Sequence, residues 1–307
     1  MQPKKRNMLI TGASGMLGNN LAFYFREKYN VIGLYHEHPV VISGVQTKKA
    51  EIFSRDFKEI VISFKPEVLV HCIALSNVDV CEVDHKSTDK LNILGTRVVV
   101  DSLKNHETKL LYISSDSVYS GGKGNFSEDD AVDPQNYYGL TKYQGELEAL
   151  KHSNSMIVRT NFFGWNIQNK HGIAEWVLHE LSNHREIRGF KDVFFSSIYS
   201  FDLAEILDIA IDTDLTGIFN FGSSESLSKY EFAIEIADRF GLDRSLIKAI
   251  SIDDFDLKAK RGKNMSLNID KLTKATNQVL PSTSESINHF YRDYREGLRG
   301  KIQHSNV

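Results

Sequence analysis

Met8-Leu9-Ile10-Thr11-Gly12-Ala13-Ser14-Gly15-Met16-Leu17-Gly18 runs a short apolar strand straight into a glycine-rich turn, and its reading decides the fold. Gly12, Gly15 and Gly18 fit the spacing Gly-x-x-Gly-x-x-Gly between a strand and a helix. The first glycine allows a tight turn, the second a close backbone approach to a pyrophosphate, and the third close packing of helix on strand. Ser14, Gly15, Met16 and Leu17 then open a helix whose free N–H groups and positive dipole end favour phosphate. The pattern predicts a dinucleotide cradle.

Working outward, apolar spacing predicts a helix from Met16 to Lys28 and a second strand from Asn30 to Tyr35. A helix around Phe57 to Phe64 is stopped by Pro66, and Val68 to Ala74 reads as a third strand. The segment from Leu91 to Asn105 reads as an amphipathic helix. It leads into Lys109 to Ser114, whose Leu110-Leu111-Tyr112-Ile113 core suits a strand buried on both faces. Gly, Ser, Asp and Glu dominate from Ser117 to Pro134, a loop long enough to be functional. A helix carrying Tyr138 and Lys142 follows, then a strand at Met156 to Arg159. Further helices are expected at Tyr199 to Ile211 and Lys229 to Phe240, with a strand at Ile218 to Phe221 returning to the sheet.

Strands alternating with helices predict an α/β chain with a doubly wound parallel sheet of the Rossmann type. A smaller C-terminal substrate-binding domain is expected to cover the sheet's end. The expected division is 1–163 for the dinucleotide-binding domain and 164–307 mainly for the substrate domain, with a segment near 198–222 returning to the first.

The 307 residues suffice for one large unit or two joined ones, and 41% hydrophobic with 25% charged content is that of an ordinary globular protein. A formal net charge of -3 and the lack of a basic stripe beyond Lys4-Lys5-Arg6 argue against nucleic-acid binding. No stretch approaches a membrane span, and the apolar run behind that basic cluster is too short for a signal peptide. Two cysteines, Cys72 and Cys81, build neither a disulfide framework nor a zinc site, so the cytoplasm is the expected compartment.

Tyr138 and Lys142 stand four residues apart, one above the other on a helix face. An ammonium there favours the phenolate and is expected to lower the tyrosine pKa towards a range useful for proton transfer. Ser115, in Ser114-Ser115-Asp116, follows a central strand at the carboxyl end, where open parallel sheets bind ligands. Singly, these are a turn serine, a half-buried aromatic and a solvated lysine. Together with the glycine turn they predict a carbonyl clamp and a proton relay.

The second strand ends in Tyr35-His36-Glu37-His38. Glu37 would hold the ribose hydroxyls of NAD, whereas His36 or His38 would sit beside a 2′-phosphate. No unambiguous acid closes the strand, so NADPH is favoured and NADH is the alternative. His-Glu-His without a third ligand makes a poor metal site, and no metal is expected.

Several motifs carry a family resemblance across nearly the whole chain. They are Thr11–Gly18, His71-Cys72-Ile73-Ala74 with Asn77-Val78-Asp79 and Cys81-Glu82, and Ser114-Ser115-Asp116-Ser117-Val118-Tyr119. Tyr138-Gly139-Leu140-Thr141-Lys142 with Gly145-Glu146, Arg159-Thr160 and the Arg261–Leu267 segment complete the set. The chain resembles the extended short-chain dehydrogenase/reductases, specifically the dTDP-4-dehydrorhamnose reductase group. The resemblance implies a catalytic triad of Ser115, Tyr138 and Lys142, with Ala74 and Asn92 on the cofactor side. It also implies that Ser76, Asp116, Phe162, Arg261 and Ser266 face the sugar nucleotide. Three departures stand out: His71-Cys72-Ile73-Ala74 replaces Asn-Ala-Ala-Ala, Ser117 replaces a tyrosine, and Gly262 replaces a proline.

The implied activity is reduction of a nucleotide-activated 4-keto-6-deoxy sugar, with hydride from NAD(P)H and a proton from Tyr138. Related 4,6-dehydratases place an Asp-Glu pair after the catalytic hydroxyl. Here Ser117 follows Asp116, which disfavours dehydration. A sugar-nucleotide epimerase with retained NAD and a non-catalytic, dinucleotide-sensing regulatory subunit stay open as alternatives. Relatives also imply a homodimer through the Leu91–Asn105 and Tyr138–Lys151 helices, unless both merely cover the sheet.

Overall fold

A computed structural model describes residues 4–168 and 170–303. Six strands and the helices between them build the first half: β1 (Arg6–Thr11), β2 (Tyr29–Tyr35), β3 (Gln46–Lys49), β4 (Val68–His71), β5 (Lys109–Ile113) and β6 (Ser155–Thr160). Short strands β7 (Phe162–Phe163), β8 (Ile187–Phe190), β9 (Phe194–Phe195) and β10 (Ile198–Tyr199) follow. The chain then returns as β11 (Gly217–Phe221) and ends its strands with β12 (Leu227–Ser228) and β13 (Ile247–Ile250). The main sheet has the order β11-β6-β5-β4-β1-β2-β3, and every pair in it is parallel. After β3 the chain crosses back to the far side of β1, so the topological switch lies between β1 and β4. Crevices at such a switch, outside the carboxyl ends of the strands, are where ligands bind.

The sheet is covered on both faces because its strands are apolar on both. Met8, Ile10, Val70, Leu111 and Val158 pack into one cluster with Leu17 and Leu21 of α1 (Met16–Phe25). Leu9, Leu69, Leu110, Tyr112 and Ile157 point the other way. They meet Phe57 and Val61 of α2 (Arg55–Phe64). The short helices α3 (Val78–Val83) and α4 (His85–Asp89) lead into a π-helical turn at Lys90–Leu94 and then α5 (Gly95–Ser102). Val99 and Val100 of α5 and Ala149 of α6 (Tyr137–Ala149) join the second face.

The first face extends beyond the sheet. Its cluster takes in residues of α7 (Ile173–Ser182), α8 (Ser200–Asp212), α9 (Lys229–Phe240) and α11 (Thr283–Arg295), so one apolar core joins sheet and C-terminal elements. Two further helices, α10 (Asp270–Thr276) and α12 (Leu298–Gln303), complete the chain. Local signals set these boundaries. A capping box of Ser228 with Glu231 starts α9, and Gly241, at φ +67°, ends it.

The structure differs from the sequence reading at three element boundaries. β3, Gln-Thr-Lys-Lys, was not expected: it is an edge strand, where polar and charged side chains guard an open ladder and erase the apolar signal. The strand expected to run to Ala74 ends at His71, where the backbone leaves the sheet to line the crevice. The helix expected to reach Lys28 ends at Phe25.

Candidate active site

A cleft of about 810 Å³ opens at the carboxyl ends of β1, β2 and β4. Its floor is the glycine turn. Gly12 has φ +73°, and a Cβ on Gly18 would stand 2.3 Å from the Gly12 carbonyl oxygen, so helix and turn can close only on glycine. Gly15 caps α1 with no side-chain hydrogen bond, leaving the helix start to a ligand. The cleft is lined by Gly12, Ser14, Gly15, Met16, Leu17, His36, Ala74, Ser76, Tyr138, Lys142 and Phe162, all singled out from sequence. The turn, the bare helix start and the size of the cleft fit a dinucleotide.

The helix bearing Tyr138 and Lys142 is clamped at its first turn. Asn136 accepts from the Gly139 N–H at 2.9 Å, and Glu82 of α3 accepts from the Tyr137 N–H at 2.9 Å. The Tyr137 ring stacks on His85 at 3.6 Å, and its hydroxyl donates to Asp89 at 2.8 Å. Deeper along α6, Glu146 is fully buried and takes Arg159 of β6 in two contacts, at 2.7 and 3.0 Å. Ser114 donates to the same carboxylate at 2.5 Å. Arg159 also donates to the Tyr119 hydroxyl at 2.8 Å, and that hydroxyl bonds Asn220 of β11 at 3.1 Å. This network locks α6 to three strands at the site's edge, which explains the Gly145-Glu146 and Arg159-Thr160 motifs.

Tyr138, Lys142 and Ser115 come together, but their electrostatics differ from the sequence expectation. Burial dominates the Tyr138 phenol and raises its pKa; the Ser115 hydroxyl opposes this by hydrogen bonding, while the Asp116 charge adds to it. Burial pushes Lys142 itself down to about 7, against the attraction of Glu146 and Cys72, and its Nζ lies 4.1 Å from the centre of the Tyr112 ring. Four residues of helical spacing place the two side chains on one face, but desolvation, which the spacing does not contain, outweighs their mutual effect. The phenol is therefore held protonated through neutral pH.

Ser115 and Asp116 are buried beside the cleft and do not line it. Ser115 donates to Asp116 at 3.0 Å and accepts from the Ser117 N–H at 3.1 Å. Asp116 also accepts from Asn161 at 2.9 Å. Burial raises the Asp116 pKa despite these donors. Asn92 also lies outside the cleft. It accepts from the Leu75 N–H at 2.8 Å and donates to Thr141 at 3.0 Å, so it pins the wall that carries Ala74 to α6.

Ser266 and Arg261 are likewise not brought to this cleft. Ser266 donates to Asn264 at 2.7 Å and accepts from the Asn125 N–H at 2.7 Å, which ties down the long loop after β5. Arg261 pairs with Asp79 at 3.1 Å and lines a separate groove with Gly121 and Gly262. Sequence reading missed the segment after β7, where Asn166, Gln168, Lys170, His171 and Gly172 wall the cleft. Gln168 donates to the Ser14 carbonyl at 2.8 Å, directly over the glycine turn. Its Gly/Asn-rich composition just beyond a strand's carboxyl end was the available signal.

His71, the first departure from Asn-Ala-Ala-Ala, is buried between Thr11 at 2.8 Å and Thr96 at 3.3 Å. Burial and the Lys142 charge lower its pKa to about 3, so it is a neutral strut under the cleft wall.

Among proteins of known name, the chain is 31% identical over 285 residues to dTDP-4-dehydrorhamnose reductase of Aggregatibacter actinomycetemcomitans, covering 87% of this chain and 92% of that one. It is 27% identical over 283 residues to methionine adenosyltransferase 2 subunit beta of Danio rerio, covering 87% and 84%. The crystal structure of dTDP-4-dehydrorhamnose reductase from Bacillus anthracis str. Ames in complex with NADP superposes with a TM-score of 0.85 at 25% identity, over 94% of this chain and 99% of that one. The RmlD substrate binding domain family matches residues 6–296, and the chain belongs to that family.

Proposed function

We propose that this protein is an NAD(P)-dependent oxidoreductase that reduces the 4-keto group of a nucleotide-activated 6-deoxy sugar. The observation that carries the reading is a protonated, desolvated Tyr138 that lines a dinucleotide-sized cleft with Lys142 and has the buried Ser115 hydroxyl behind it. The likeness to reductases of that name, one of them crystallised with NADP, supports both the reaction and NADPH as the favoured cofactor. His36 lines the cleft at the end of β2, where a 2′-phosphate would be received. A bound nicotinamide supplies the hydride. Ser115 polarises the sugar carbonyl, Tyr138 holds the proton at its phenol oxygen and releases it to the carbonyl oxygen, and Lys142 orients the ribose. Phe162 and Ser76 also line the cleft, and we assign them to the sugar.

The working division is a dinucleotide unit at 1–163 and a mainly substrate-binding unit at 164–307, with 198–222 returning to the first. Asn92 and Ser266 take positioning roles, since their polar atoms are engaged within the protein.

The test is a spectrophotometric assay of NADPH and NADH oxidation against a panel of nucleotide-linked 4-keto-6-deoxy sugars. Turnover is expected with at least one pair. Tyr138→Phe should cut kcat by about 10²- to 10⁴-fold and leave cofactor affinity within a few-fold. Wild-type kcat in that variant would refute the assignment. A second reading, a non-catalytic subunit, is favoured by the likeness to methionine adenosyltransferase 2 subunit beta. It predicts dinucleotide binding with no oxidation in any pair. The intact proton relay weighs against it.

A further inference from the structure

The C-terminal helices enclose a second cavity, of about 370 Å³, which shares no lining residue with the cofactor cleft. Its walls are aromatic: Trp165, just beyond β7, Phe240 of α9, and Tyr291 and Tyr294 of α11. The Trp165 ring is fully buried, stacked on Phe290 at 3.9 Å and on Tyr294 at 5.7 Å. Phe240 meets the Tyr291 ring at 4.9 Å and the Tyr294 ring at 5.3 Å. Tyr294 is nevertheless 41% exposed, so its ring forms the open edge.

Two arginines complete the lining. Gly297, at φ +75°, turns the chain from α11 into α12, and the Arg299 guanidinium carbon lies 5.4 Å from the centre of the Trp165 ring. Its Nε is buried and has no hydrogen-bond partner among the described residues. Arg295 ends α11 and donates to the Tyr291 hydroxyl at 3.0 Å. Neither arginine has a carboxylate within ion-pair distance among the described residues. The one acid in the lining, Glu175, accepts from the Asn166 N–H at 3.0 Å. Burial outweighs the pull of that N–H and of Arg299 and raises the Glu175 pKa to about 7, so at neutral pH it carries only part of a charge. Both arginines also border an adjoining surface depression of about 430 Å³, which places them where the cavity opens. A buried donor without an acceptor costs stability, and an anion seated there would remove that cost.

We propose that this cavity is a second small-molecule site, which takes a flat aromatic acid with its rings on the Trp165, Phe240 and Tyr291 walls and its carboxylate on Arg299 and Arg295. A cavity of about 150 Å³ accommodates benzene, so this one suits two fused rings with an acidic group. The planar guanidinium fork matches a carboxylate with two parallel hydrogen bonds. A ring without charge would leave the arginines unpaired, and a small anion without rings would leave the aromatic walls wet. The cavity holds none of the residues assigned to the reaction, so its ligand is bound and not turned over. The inference is independent of the sugar-nucleotide reading.

The experiment is calorimetric titration of the full-length protein, in saturating NADP so that the first cleft is filled, with 2-naphthoate, its uncharged amide and inorganic phosphate. Wild type should bind the acid one to one, the amide about 10- to 100-fold more weakly, and phosphate not measurably. In Arg299→Met the affinity for the acid should fall to that for the amide, while the amide's own affinity stays within a few-fold. Ser182 lies exposed on the rim at the end of α7, and Ser182→Trp should block both ring compounds by covering the opening. If Arg299→Met lowers Tm, the rim variant decides the question. No binding of millimolar 2-naphthoate to wild type overturns the inference. So does equal affinity for acid and amide, displacement of the acid by phosphate at equal concentration, or binding that survives Ser182→Trp.

Discussion

Replacing Lys142 with methionine should make the protein more stable while abolishing its activity, and the gain should depend on pH in a defined way. Lys142 is 2% exposed, and burial lowers its pKa from 10.5 to about 7. At about 1.4 kcal/mol for each pH unit, keeping that ammonium in the folded state costs about 5 kcal/mol where it is charged in both states. The sign follows from proton counting. Between pH 7 and 10.5 the unfolded chain holds a proton on this lysine that the folded chain has lost, so wild-type stability rises with pH at up to about 1.4 kcal/mol per unit. The penalty is fully present below pH 7 and gone above 10.5.

Methionine keeps the length and the apolar stem but does not titrate. The variant should therefore exceed wild type by about 5 kcal/mol at pH 6 and only about 2 kcal/mol at pH 9. Packing changes shift both figures equally, so the difference of about 3 kcal/mol between the two pH values is the quantity to read. Urea unfolding of both proteins at pH 6, 7, 8 and 9, without cofactor, measures it. A stability difference that does not change with pH would refute the argument, because it would mean that Lys142 keeps an ordinary pKa in the fold. A variant that gains stability and loses turnover would place the lysine among residues held at a structural cost for function.

Three further outcomes follow from the same geometry. Glu146→Ala leaves the buried Arg159 guanidinium unpaired and should cost about 3–5 kcal/mol, read as a fall in Tm, with soluble yield reduced. An unchanged Tm would show that water replaces the carboxylate. Gly145→Ala would place a Cβ 2.1 Å from the Tyr112 hydroxyl and 2.8 Å from the Asn92 carbonyl. That should cost about 1–3 kcal/mol of stability and lower kcat by shifting the helix that carries Lys142, with the fully folded fraction checked by circular dichroism. Leu94, Leu147 and Leu150 are 42%, 47% and 39% exposed on the π turn and α6, as a face shared between two copies would require. Sedimentation should find a dimer that Leu147→Glu converts to monomer, and a wild-type monomer at micromolar concentration would remove that expectation.

Legibility was uneven, for physical reasons. Buried parallel strands declare themselves as apolar runs, so β1, β4, β5 and β6 and their order of helices were readable, as was the glycine turn that starts α1. Edge strand β3 carries no such run. The π turn at Lys90–Leu94 has no composition of its own; within it Asn92 bonds both Leu75 and Thr141. The motif residues divide in place: Tyr138 lines the cleft, Asn92 ties its wall to α6, and Ser266 holds the long loop after β5.

By itself, the sequence determined the layered α/β architecture and the dinucleotide cradle, and it named Ser115, Tyr138 and Lys142 as candidates, because these depend on local periodicity, turn chemistry and spacing. The tertiary structure alone decided how those groups are charged. Desolvation comes from neighbours distant in the chain, such as Tyr112 beneath Lys142, and it reverses the expected pull of the lysine on Tyr138. Helical spacing fixes which side chains share a face; only the packed fold sets how much water each one keeps.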